Sequence, residues 1–541
     1  MKRLETDVIV IGGGLAGMTA ALSAKAIGCS VTLVCKSLTG HSGNSIVAGS
    51  GVSVYRPGNS QNDTIDLYRR DLIRSGAGIN DLLIVDQVLK ASNQVVPYLE
   101  KNGVPFRYSG RELMVRRVGG HSSARFYYTD YSDKSFKTRG LSLTEPMRSV
   151  VEKAEINVMD NTTVIKLIMS DGIVCGCLCI DNKSKKNFSI LAKSVILAAG
   201  GGASLFERTN NTSDVTCDSY RLALEAGAEL RDMEFVQFYP CVLAYPIPLQ
   251  IEGSLFADGA VLRNADGEEF MYRYSEQGNL ATRDIMAIAV QSEIKAGRGK
   301  ADCIYVDCSA IDEEEWKRKY KEFTRTLSNH HIDVRKDILL AAPAAHFYMG
   351  GICVDSDYSA GVPGLYACGE AVGGLHGANR LPGVALTEAV VSGRIAGRKA
   401  GEHAEGTSLL SEIQVCEIPE KKISRLDWKQ KIRDLRAMAW KEVSIIRDEA
   451  SIRRFEEYLD EQKYLVACVE AGGEDRHAYE YLSYYVTAQM LVVSAKYRKE
   501  SRGAHFRADY PMKDEAFTGN FICHQNDDKI VVRFVKERDT K

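Results

Sequence analysis

The sequence lacks the features that mark several specialised classes of protein. None of its 14 cysteines forms a C-x-x-C pair, and no block of like charge suggests a tail. No apolar run reaches the length of a membrane span, so we expect no transmembrane segment. The composition is 45% hydrophobic and 26% charged with a net charge of −2, which gives no basic excess for nucleic-acid binding. We expect a cytoplasmic protein with about two to four domains.

The cysteines do not suggest a metal site. Cys175, Cys177 and Cys179 alternate along an apolar stretch, which is the spacing of one face of a β-strand. We interpret them as small buried side chains in a reducing compartment. The sequence therefore predicts no metal ligand set and no iron–sulfur cluster within this chain.

The N-terminal segment carries a dinucleotide-binding pattern. Residues 8–11 are consecutive apolar residues typical of a buried parallel strand, and they lead into the G-x-G-x-x-G spacing of Gly12, Gly14 and Gly17. The three glycines allow a tight turn, a close approach to a pyrophosphate and close packing of helix on strand. The helical pattern at 18–26 would place the phosphate on a helix N-terminus. A plain strand–turn–helix is the alternative interpretation.

Two features favour FAD over NAD. The acidic residue that holds a ribose in NAD-binding proteins is missing after the second strand, where Cys35 and Lys36 stand. A second buried strand at 194–202 ends in glycines, as a longer dinucleotide requires. The small-residue loop at 39–52 is suited to packing against a planar ring system.

The rest of the chain divides by pattern. Hydrophobic periodicity predicts helices at 62–104 and short strands at 155–197. At 235–243 a segment begins whose residue pattern differs from that of the preceding chain. Glycine-rich strands return at 350–370 and a helix at 384–400, so the intervening segment is an insertion. A polar stretch at 403–425 suggests a linker, and helical patterns dominate 426–500.

At this point the motifs, in their order, identify a family. The chain resembles the flavoproteins of the fumarate reductase, succinate dehydrogenase and L-aspartate oxidase family over nearly its whole length. The matching stretches are residues 12–17, 198–202, 232–238, 279–284, 346 with 349–351, 369–370, 376–381, and 501–505 with 509–511.

The resemblance implies an α/β fold with a Rossmann-like FAD-binding domain in two segments, an inserted α+β capping domain and a C-terminal helical domain. The expected boundaries are 1–238 and 346–405 for the FAD-binding domain, 239–345 for the capping domain and 426–541 for the helical domain. The substrate is expected between the cap and the flavin ring.

The resemblance also implies how FAD is held. The histidine that bonds covalently to FAD in the respiratory enzymes aligns with Asn44, and His41 is only a near neighbour, so we expect non-covalent FAD. Glu370 is expected to hold ribityl or ribose hydroxyls. The expected cofactor-binding residues are Gly12, Gly14, Leu15, Ala16, Gly17, Lys36, Ser42, Gly43, Asn44, Ser45, Gly49, Ser50, Gly51, Val164, Ala199, Gly200, Asp218, Glu370, Arg380, Val384, Ala385 and Leu386.

By the same resemblance, Arg283 matches the proton donor and Glu252 the carboxylate that supplies it with protons. The arginine that usually completes this relay is replaced by Leu255. An arginine of ordinary pKa is a poor acid, so Arg283 would need a buried position and a carboxylate partner.

His346 and Arg380 match the pair that binds one substrate carboxylate. At the other end Tyr239 and Ile251 replace a histidine and a threonine. We expect one carboxylate at Arg380 and a less charged or aromatic group facing Tyr239. The alternative is that the Tyr239 hydroxyl donates to a second carboxylate.

These residues favour reduction of a carbon–carbon double bond next to a carboxylate. Oxidation of L-aspartate is the alternative, although Val118 stands where that branch has a glutamate for the substrate amine. A third hypothesis is an electron-transfer subunit with a decayed site. A separate iron–sulfur or ferredoxin-like protein is expected as the electron partner.

Overall fold

The computed structural model describes residues 2–58, 63–409, 426–470, 475–527 and 529–536. Of the predicted linker at 403–425, residues 410–425 lie outside the described residues. In the first FAD-binding segment the helices are α1 (Leu15–Lys25), α2 (Ile65–Ser75), α3 (Leu82–Ser92), α4 (Val95–Lys101), α5 (Leu141–Lys153) and α6 (Asp218–Glu225). The strands of this segment are β1 (Lys2–Ile11), β2 (Val31–Val34), β3 (Gly51–Ser53), β4 (Tyr108–Ser109), β5 (Glu112–Leu113), β6 (Val115–Arg116), β7 (Phe126–Tyr128), β8 (Asn157–Met159), β9 (Thr162–Ser170), β10 (Ile173–Asp181), β11 (Asn187–Leu197) and β12 (Leu230–Arg231).

The first strand lies near the centre of a seven-stranded sheet, in which six strands follow the order β8-β2-β1-β11-β10-β9 and the seventh, Leu365–Ala367, pairs with β11. β1 pairs in parallel with β2 and with β11, and Ile11 lies beside Leu197. Both glycine-ended strands predicted from the sequence therefore end side by side at one edge. Cys175, Cys177 and Cys179 on β10 are buried, as their alternation predicted.

Gly17 shows why the turn after β1 requires glycine. A Cβ atom on Gly17 would lie 1.8 Å from the carbonyl oxygen of Gly12, which no side chain tolerates. Gly12 itself has a φ of 121°, a backbone conformation that favours glycine. Helix α1 therefore packs directly on the end of β1, the role predicted for the third glycine.

The inserted segment forms a separate five-stranded sheet with its own core. Its elements are β13 (Val236–Leu243), β14 (Leu249–Gln250), α7 (Ser254–Ala257), β15 (Val261–Arg263), α8 (Arg283–Lys295), β16 (Ile304–Asp307), α9 (Glu313–Lys319), α10 (Lys321–Ser328) and β17 (Leu339–Tyr348). β13 and β17 pair antiparallel from Val236 beside Tyr348 to Leu243 beside Ala341. The predicted boundaries at 239 and 345 fall inside these two strands, which carry the chain into the cap and back.

The second FAD-binding segment contains β18 (Gly351–Ile352), β19 (Leu365–Ala367) and α11 (Val384–Glu405). β19 joins the central sheet beside β11. Gly393 and Gly397 on α11 let this helix pack directly against the backbone of Ala16 and Ala20 on α1. The two segments therefore form one domain.

The helical prediction for the C-terminal segment is confirmed by α12 (Trp428–Val443), α13 (Glu449–Glu461), α14 (Lys463–Glu470) and α15 (Arg476–Tyr497). The segment also contains β20 (Ile446–Arg447), β21 (Phe506–Arg507), β22 (Gly519–Asn526) and β23 (Lys529–Lys536). β22 pairs with β12 of the FAD-binding domain, so the last strands complete a four-stranded sheet across the two domains. In the described part of the chain, no helix has the length and apolarity needed to cross a bilayer.

Candidate active site

A cavity of about 1080 Å³ lies between the central sheet, the cap and the start of α11. It takes in the turn after β1, the loop at 42–51, the N-terminus of α8 and the residues around Arg380. Most of the predicted cofactor residues line it: Gly12, Gly14, Leu15, Ala16, Lys36, Ser42, Gly43, Asn44, Ser45, Gly49, Gly51, Val164, Ala199, Gly200, Asp218, Glu370, Arg380, Ala385 and Leu386. Gly17, Ser50 and Val384 do not line it. Gly17 packs under the turn instead, and Ser50 and Val384 are buried.

The turn after β1 fits an anionic cofactor group. Helix α1 begins at Leu15, whose N–H donates to Ser45 Oγ at 3.1 Å, so the loop at 42–51 is tied to the helix N-terminus. A Cβ atom added at Gly43 or Gly49 would meet no atom within 4 Å. Open backbone beside a helix N-terminus is the surface on which a pyrophosphate binds.

Lys36 is held by carboxylates on both sides of a domain boundary. Its ammonium lies 2.5 Å from Asp218 and 3.2 Å from Glu480 on α15, and it also donates to Thr216 Oγ1. Burial opposes the charge, yet these two carboxylates raise the pKa of Lys36. This ion pair therefore fixes the C-terminal helical domain to the cofactor cavity.

Asn44 lies in a hydrogen-bonded group at the cavity wall. Its Nδ2 donates to Asn211 Oδ1 at 2.8 Å and to Glu370 Oε2 at 3.1 Å, and its Oδ1 accepts from the Thr212 N–H at 3.2 Å. Burial raises the pKa of Glu370 to about 7 although Asn44 and the Tyr348 N–H favour the carboxylate. His41 is exposed and is not a lining residue.

Arg380 and His346 belong to a continuous hydrogen-bonded group in the site. Arg380 Nη2 donates to His346 Nε2 at 2.9 Å and to Gln237 Oε1 at 3.1 Å. Because a guanidinium only donates, Nε2 accepts and His346 is neutral, with its Nδ1–H donated to Asn210 Oδ1 at 3.1 Å. Gln237 Nε2 donates in turn to Asn379 Oδ1 at 2.9 Å.

The charge on Arg380 lacks compensation. Arg380 is 7% exposed, its Nε has no partner, and no carboxylate among the described residues forms an ion pair with it. Burial, followed by the charge of Arg283, lowers the pKa of Arg380 to about 9. Burial and the charges of Arg380 and Arg283 also hold the pKa of His346 well below 6.5. The cavity therefore presents a buried cation that favours an anionic ligand.

Arg283 and Glu252 face the same cavity but do not touch. The Arg283 guanidinium lies 4.8 Å from the ring centre of Tyr239, and burial lowers the pKa of Arg283. Across the described ranges Arg283 forms no ion pair, and the hydrogen-bond partner of Glu252 is Ser254 Oγ at 3.5 Å. The proton relay expected from the sequence is therefore not assembled in this structure, although both side chains lie on the wall of one cavity.

Tyr239 and Ile251 are joined to one another. The Tyr239 hydroxyl donates to the Ile251 carbonyl at 2.8 Å, and the Tyr239 and His346 rings lie 5.5 Å apart. Leu255 is fully buried in the cap core and is not a lining residue. Leu255 therefore does not shape the end of the cavity beside Tyr239, where a less charged or aromatic group was predicted, because its side chain lies in the cap core.

Several lining residues were not assigned from the sequence. Gln237 lies inside one matched motif and Asn379 inside another, so the motifs could have identified both as site residues. Asn210 and Arg139 lie in stretches without a motif and could be found only from the structure. Val118 lines the cavity as well, where the aspartate oxidase hypothesis requires a carboxylate.

Comparison with known families gives two matches. A model described as FAD binding domain matches residues 7–386, and a model described as fumarate reductase flavoprotein C-term matches residues 432–537. Together they span both FAD-binding segments, the cap and the helical domain.

Curated relatives match over nearly the whole chain. An uncharacterized FAD-dependent oxidoreductase of Methanocaldococcus jannaschii is 34% identical, over 96% of each protein. A fumarate reductase (CoM/CoB) subunit of Methanothermobacter marburgensis is 31% identical, over 94% of this chain and 95% of the relative. An L-aspartate oxidase of Bacillus subtilis is 30% identical, over 96% and 94% respectively.

Solved structures show the same fold. Sdh1 of Mycobacterium smegmatis in complex with UQ1 superposes with a TM-score of 0.86 at 28% identity, over 99% of this chain and 95% of that one. The FrdA chain of E. coli quinol fumarate reductase gives a TM-score of 0.88 at 23% identity, over 99% and 97%.

Proposed function

The chain belongs to the fumarate reductase and succinate dehydrogenase flavoprotein family, and we propose that it reduces a carbon–carbon double bond next to a carboxylate. The family makes it an FAD-dependent oxidoreductase. The relatives include both fumarate reductases and L-aspartate oxidases, so the reaction has to be argued from the cavity itself.

The unpaired charge of Arg380 carries this proposal. A substrate carboxylate in the cavity would accept from the Arg380 guanidinium and supply the ion pair that this buried group lacks. Leaving a buried charge uncompensated costs about 3–5 kcal/mol, so the site favours an anion strongly. Gln237 and His346 already hold the guanidinium in place, which reduces the entropy lost on binding.

FAD, when bound in this cavity, supplies hydride transfer. Arg283 and His346 lie 4.8 and 5.5 Å from the centre of the Tyr239 ring. From there Arg283 would deliver a proton to the second carbon of the double bond. Its lowered pKa makes the guanidinium a better acid than in water. We assign Glu252 as the carboxylate that returns the proton, which requires it to approach Arg283 when substrate binds.

We further propose that FAD is held without a covalent bond and that electrons come from a separate iron–sulfur or ferredoxin-like protein. The carboxamide of Asn44 is already committed to three hydrogen bonds and is no nucleophile. No cluster of three or more His, Cys, Asp or Glu suited to a metal occurs within the described residues. One relative is named as a subunit of a fumarate reductase, which supports a protein partner.

L-Aspartate oxidation is a second candidate because relatives of 30–32% identity carry that name. The cavity supports it less well. Val118 on the wall offers no charge to a substrate ammonium, and six arginines line the same cavity.

Reoxidation of the reduced flavin tests the proposal. The purified yellow protein is reduced anaerobically and mixed with fumarate, crotonate and other enoates while flavin absorbance is followed. Recovery of the yellow colour at a rate above that of a buffer control is expected. Absence of recovery with every enoate would refute enoate reduction and favour the decayed-site hypothesis. Bleaching of the oxidised protein by L-aspartate would favour the oxidase.

A further inference from the structure

Tyr239 stands where the family has a histidine, and the proposed function gives it no task. It lies on β13 of the cap sheet, is 3% exposed and lines the cavity. Its neighbour across the sheet is Ala344 on β17, which forms a small apolar cluster with Tyr239 and Val242. The sheet therefore fixes the position of the ring.

The hydroxyl of Tyr239 is bonded inside the cap. It donates to the Ile251 carbonyl at 2.8 Å, and the Ile251 N–H donates to the Cys241 carbonyl at 3.0 Å. Because a hydroxyl has one proton, donation to a substrate carboxylate would have to break the bond to Ile251. Ile251 directly precedes Glu252 in the chain, so β13 fixes the backbone from which the Glu252 side chain extends.

The face of the Tyr239 ring carries the Arg283 guanidinium. The central carbon of the guanidinium lies over the ring, 4.8 Å from its centre. The negative face of an aromatic ring attracts a cation, and the attraction is strongest where water is excluded. Burial lowers the pKa of Arg283, and Tyr239 opposes that shift. Since no carboxylate among the described residues forms an ion pair with Arg283, the ring is the group that favours its charge.

The other nearby groups do not hold Arg283. Glu252 lines the same cavity but is not bonded to Arg283 within the described residues. His346 packs edge-on against the Tyr239 ring, with the ring centres 5.5 Å apart and the planes at 66°. Burial and the nearby arginines keep the pKa of His346 well below 6.5, so it adds no second cation beside the ring. The Tyr239 ring therefore places the Arg283 guanidinium at the cavity wall.

We propose that Tyr239 is a positioning residue for proton transfer, whose ring holds the Arg283 guanidinium and whose hydroxyl fixes the segment that carries Glu252. This inference rests on the proposed function, which makes Arg283 the proton donor, and deepens it. Tyr239 then acts through Arg283 and does not itself bind a substrate carboxylate. The aromatic ring, and not the hydroxyl, is the part of Tyr239 on which protonation of the substrate depends.

Single-turnover reoxidation separates the ring from the hydroxyl. The reduced holoprotein is mixed with saturating fumarate in a stopped-flow instrument, and flavin absorbance gives the rate. Tyr239→Leu removes the ring and should slow reoxidation about tenfold or more, because the proton donor is no longer held in place. Tyr239→Phe keeps the ring and should react within about threefold of the wild-type rate, since the proton already on Arg283 suffices for one turnover. The dissociation constant of fumarate, from flavin difference spectra of the oxidised protein, should change less than about threefold in both variants.

Two controls distinguish positioning of Arg283 from general damage to the protein. Tyr98 lies 5.1 Å from Arg394 in the same type of contact, and neither residue lines the cavity, so Tyr98→Leu should leave the reoxidation rate unchanged. In the Arg283→Ala background, Tyr239→Leu should have no further effect, because the group through which Tyr239 acts is gone. A disturbed cap would instead lower the rate again in the double variant, and that result would overturn the inference.

Two other kinetic results would also overturn it. If Tyr239→Phe is as slow as Tyr239→Leu, the hydroxyl and not the ring is required. If either variant weakens fumarate binding while the rate at saturation is unchanged, Tyr239 is a substrate ligand.

Crystal structures of the wild type, Tyr239→Phe and Tyr239→Leu with FAD bound provide a measurement that does not depend on the reaction. We expect the Arg283 guanidinium over the ring in the first two and displaced in the third. A guanidinium that keeps its place in Tyr239→Leu would overturn the inference, whatever substrate the enzyme reduces. A displaced guanidinium in a protein that no enoate reoxidises would show that the ring holds Arg283 and that the proposed reaction is wrong.

Discussion

The two sides of the cavity differ in how far they are assembled before a ligand arrives. On one side Arg380 is held by His346 and Gln237, and these are held in turn by Asn210 and Asn379. On the other side Arg283 rests on the Tyr239 ring, and the hydrogen bond recorded for the Glu252 side chain, within the described part of the chain, is the long one from Ser254 Oγ. We call Arg380, His346 and Gln237 on the first side the anion clamp, because their hydrogen bonds are formed without a ligand. On the second side Arg283 and Glu252 line the cavity but are not bonded to each other.

This difference has a physical origin. The clamp residues lie where the chain enters and leaves the cap: Gln237 is near the start of β13, His346 is near the end of β17, and Arg380 stands just before α11. Arg283 and Glu252 lie on the cap alone, at the start of α8 and just before α7. A small shift of the cap would change the Arg283 side without disturbing the clamp. We therefore expect the clamp to govern ligand affinity and the cap side to govern turnover.

Arg283→Ala should produce the largest effect. Loss of the proton donor is expected to lower kcat by about 10²–10⁴-fold, the usual range for a general acid, while ligand affinity falls much less. Stopped-flow reoxidation by fumarate measures the first and flavin difference spectra the second. Arg283→Lys is the matched control for charge without the guanidinium. If Arg283→Ala retains turnover, Arg283 is not the proton donor. The expectation that the cap side governs turnover and the clamp governs affinity would then be wrong.

Arg380→Gln should mainly weaken ligand binding, whereas Arg283→Ala should mainly slow turnover. Truncating one member of a buried charge pair costs about 2–5 kcal/mol, so both fumarate and crotonate should bind at least about 30-fold more weakly. The same difference spectra provide the measurement, with flavin content as the folding control. Crotonate affinity that survives this change would show that the clamp is not where the shared carboxylate binds.

The smallest expected effect is on the pH dependence of thermal stability. Because the pKa of His346 in the folded protein lies well below 6.5, the unfolded chain binds a proton there more readily than the folded one. The stability contributed by neutral His346 is therefore present above pH 6.5 and is lost as the pH falls below it. Thermal unfolding of the holoprotein at pH 5–8 should show a shallower acid slope for His346→Asn than for the wild type.

His41→Asn is the control for that measurement, because His41 is exposed. The slope should be reduced and not abolished, since the pKa values of His121 and His505 are lowered by burial in the same direction. An unchanged slope in His346→Asn would mean that His346 is protonated in the folded protein, and the donor assignment within the clamp would be wrong.

Much of the fold was predictable because its signals are local. Apolar runs ending in glycine predicted β1 and β11, and helical periodicity predicted α3 and α15. The strands β22 and β23 were not predicted, although they pair with each other, because the sheet that β22 joins is completed by β12 from about 290 positions earlier. Such pairing leaves no periodicity in the segment itself.

By itself, the order of residues determined the dinucleotide turn, the family and the identities of Arg283, Glu252, His346 and Arg380, because each belongs to a short motif with its own chemical requirement. Only the tertiary structure decided how these groups are connected. It separated Glu252 from Arg283, turned Leu255 into the cap core and brought Arg139 to the cavity wall. Burial and the distances between charges decide such matters, and both are set by chain segments far apart in the sequence.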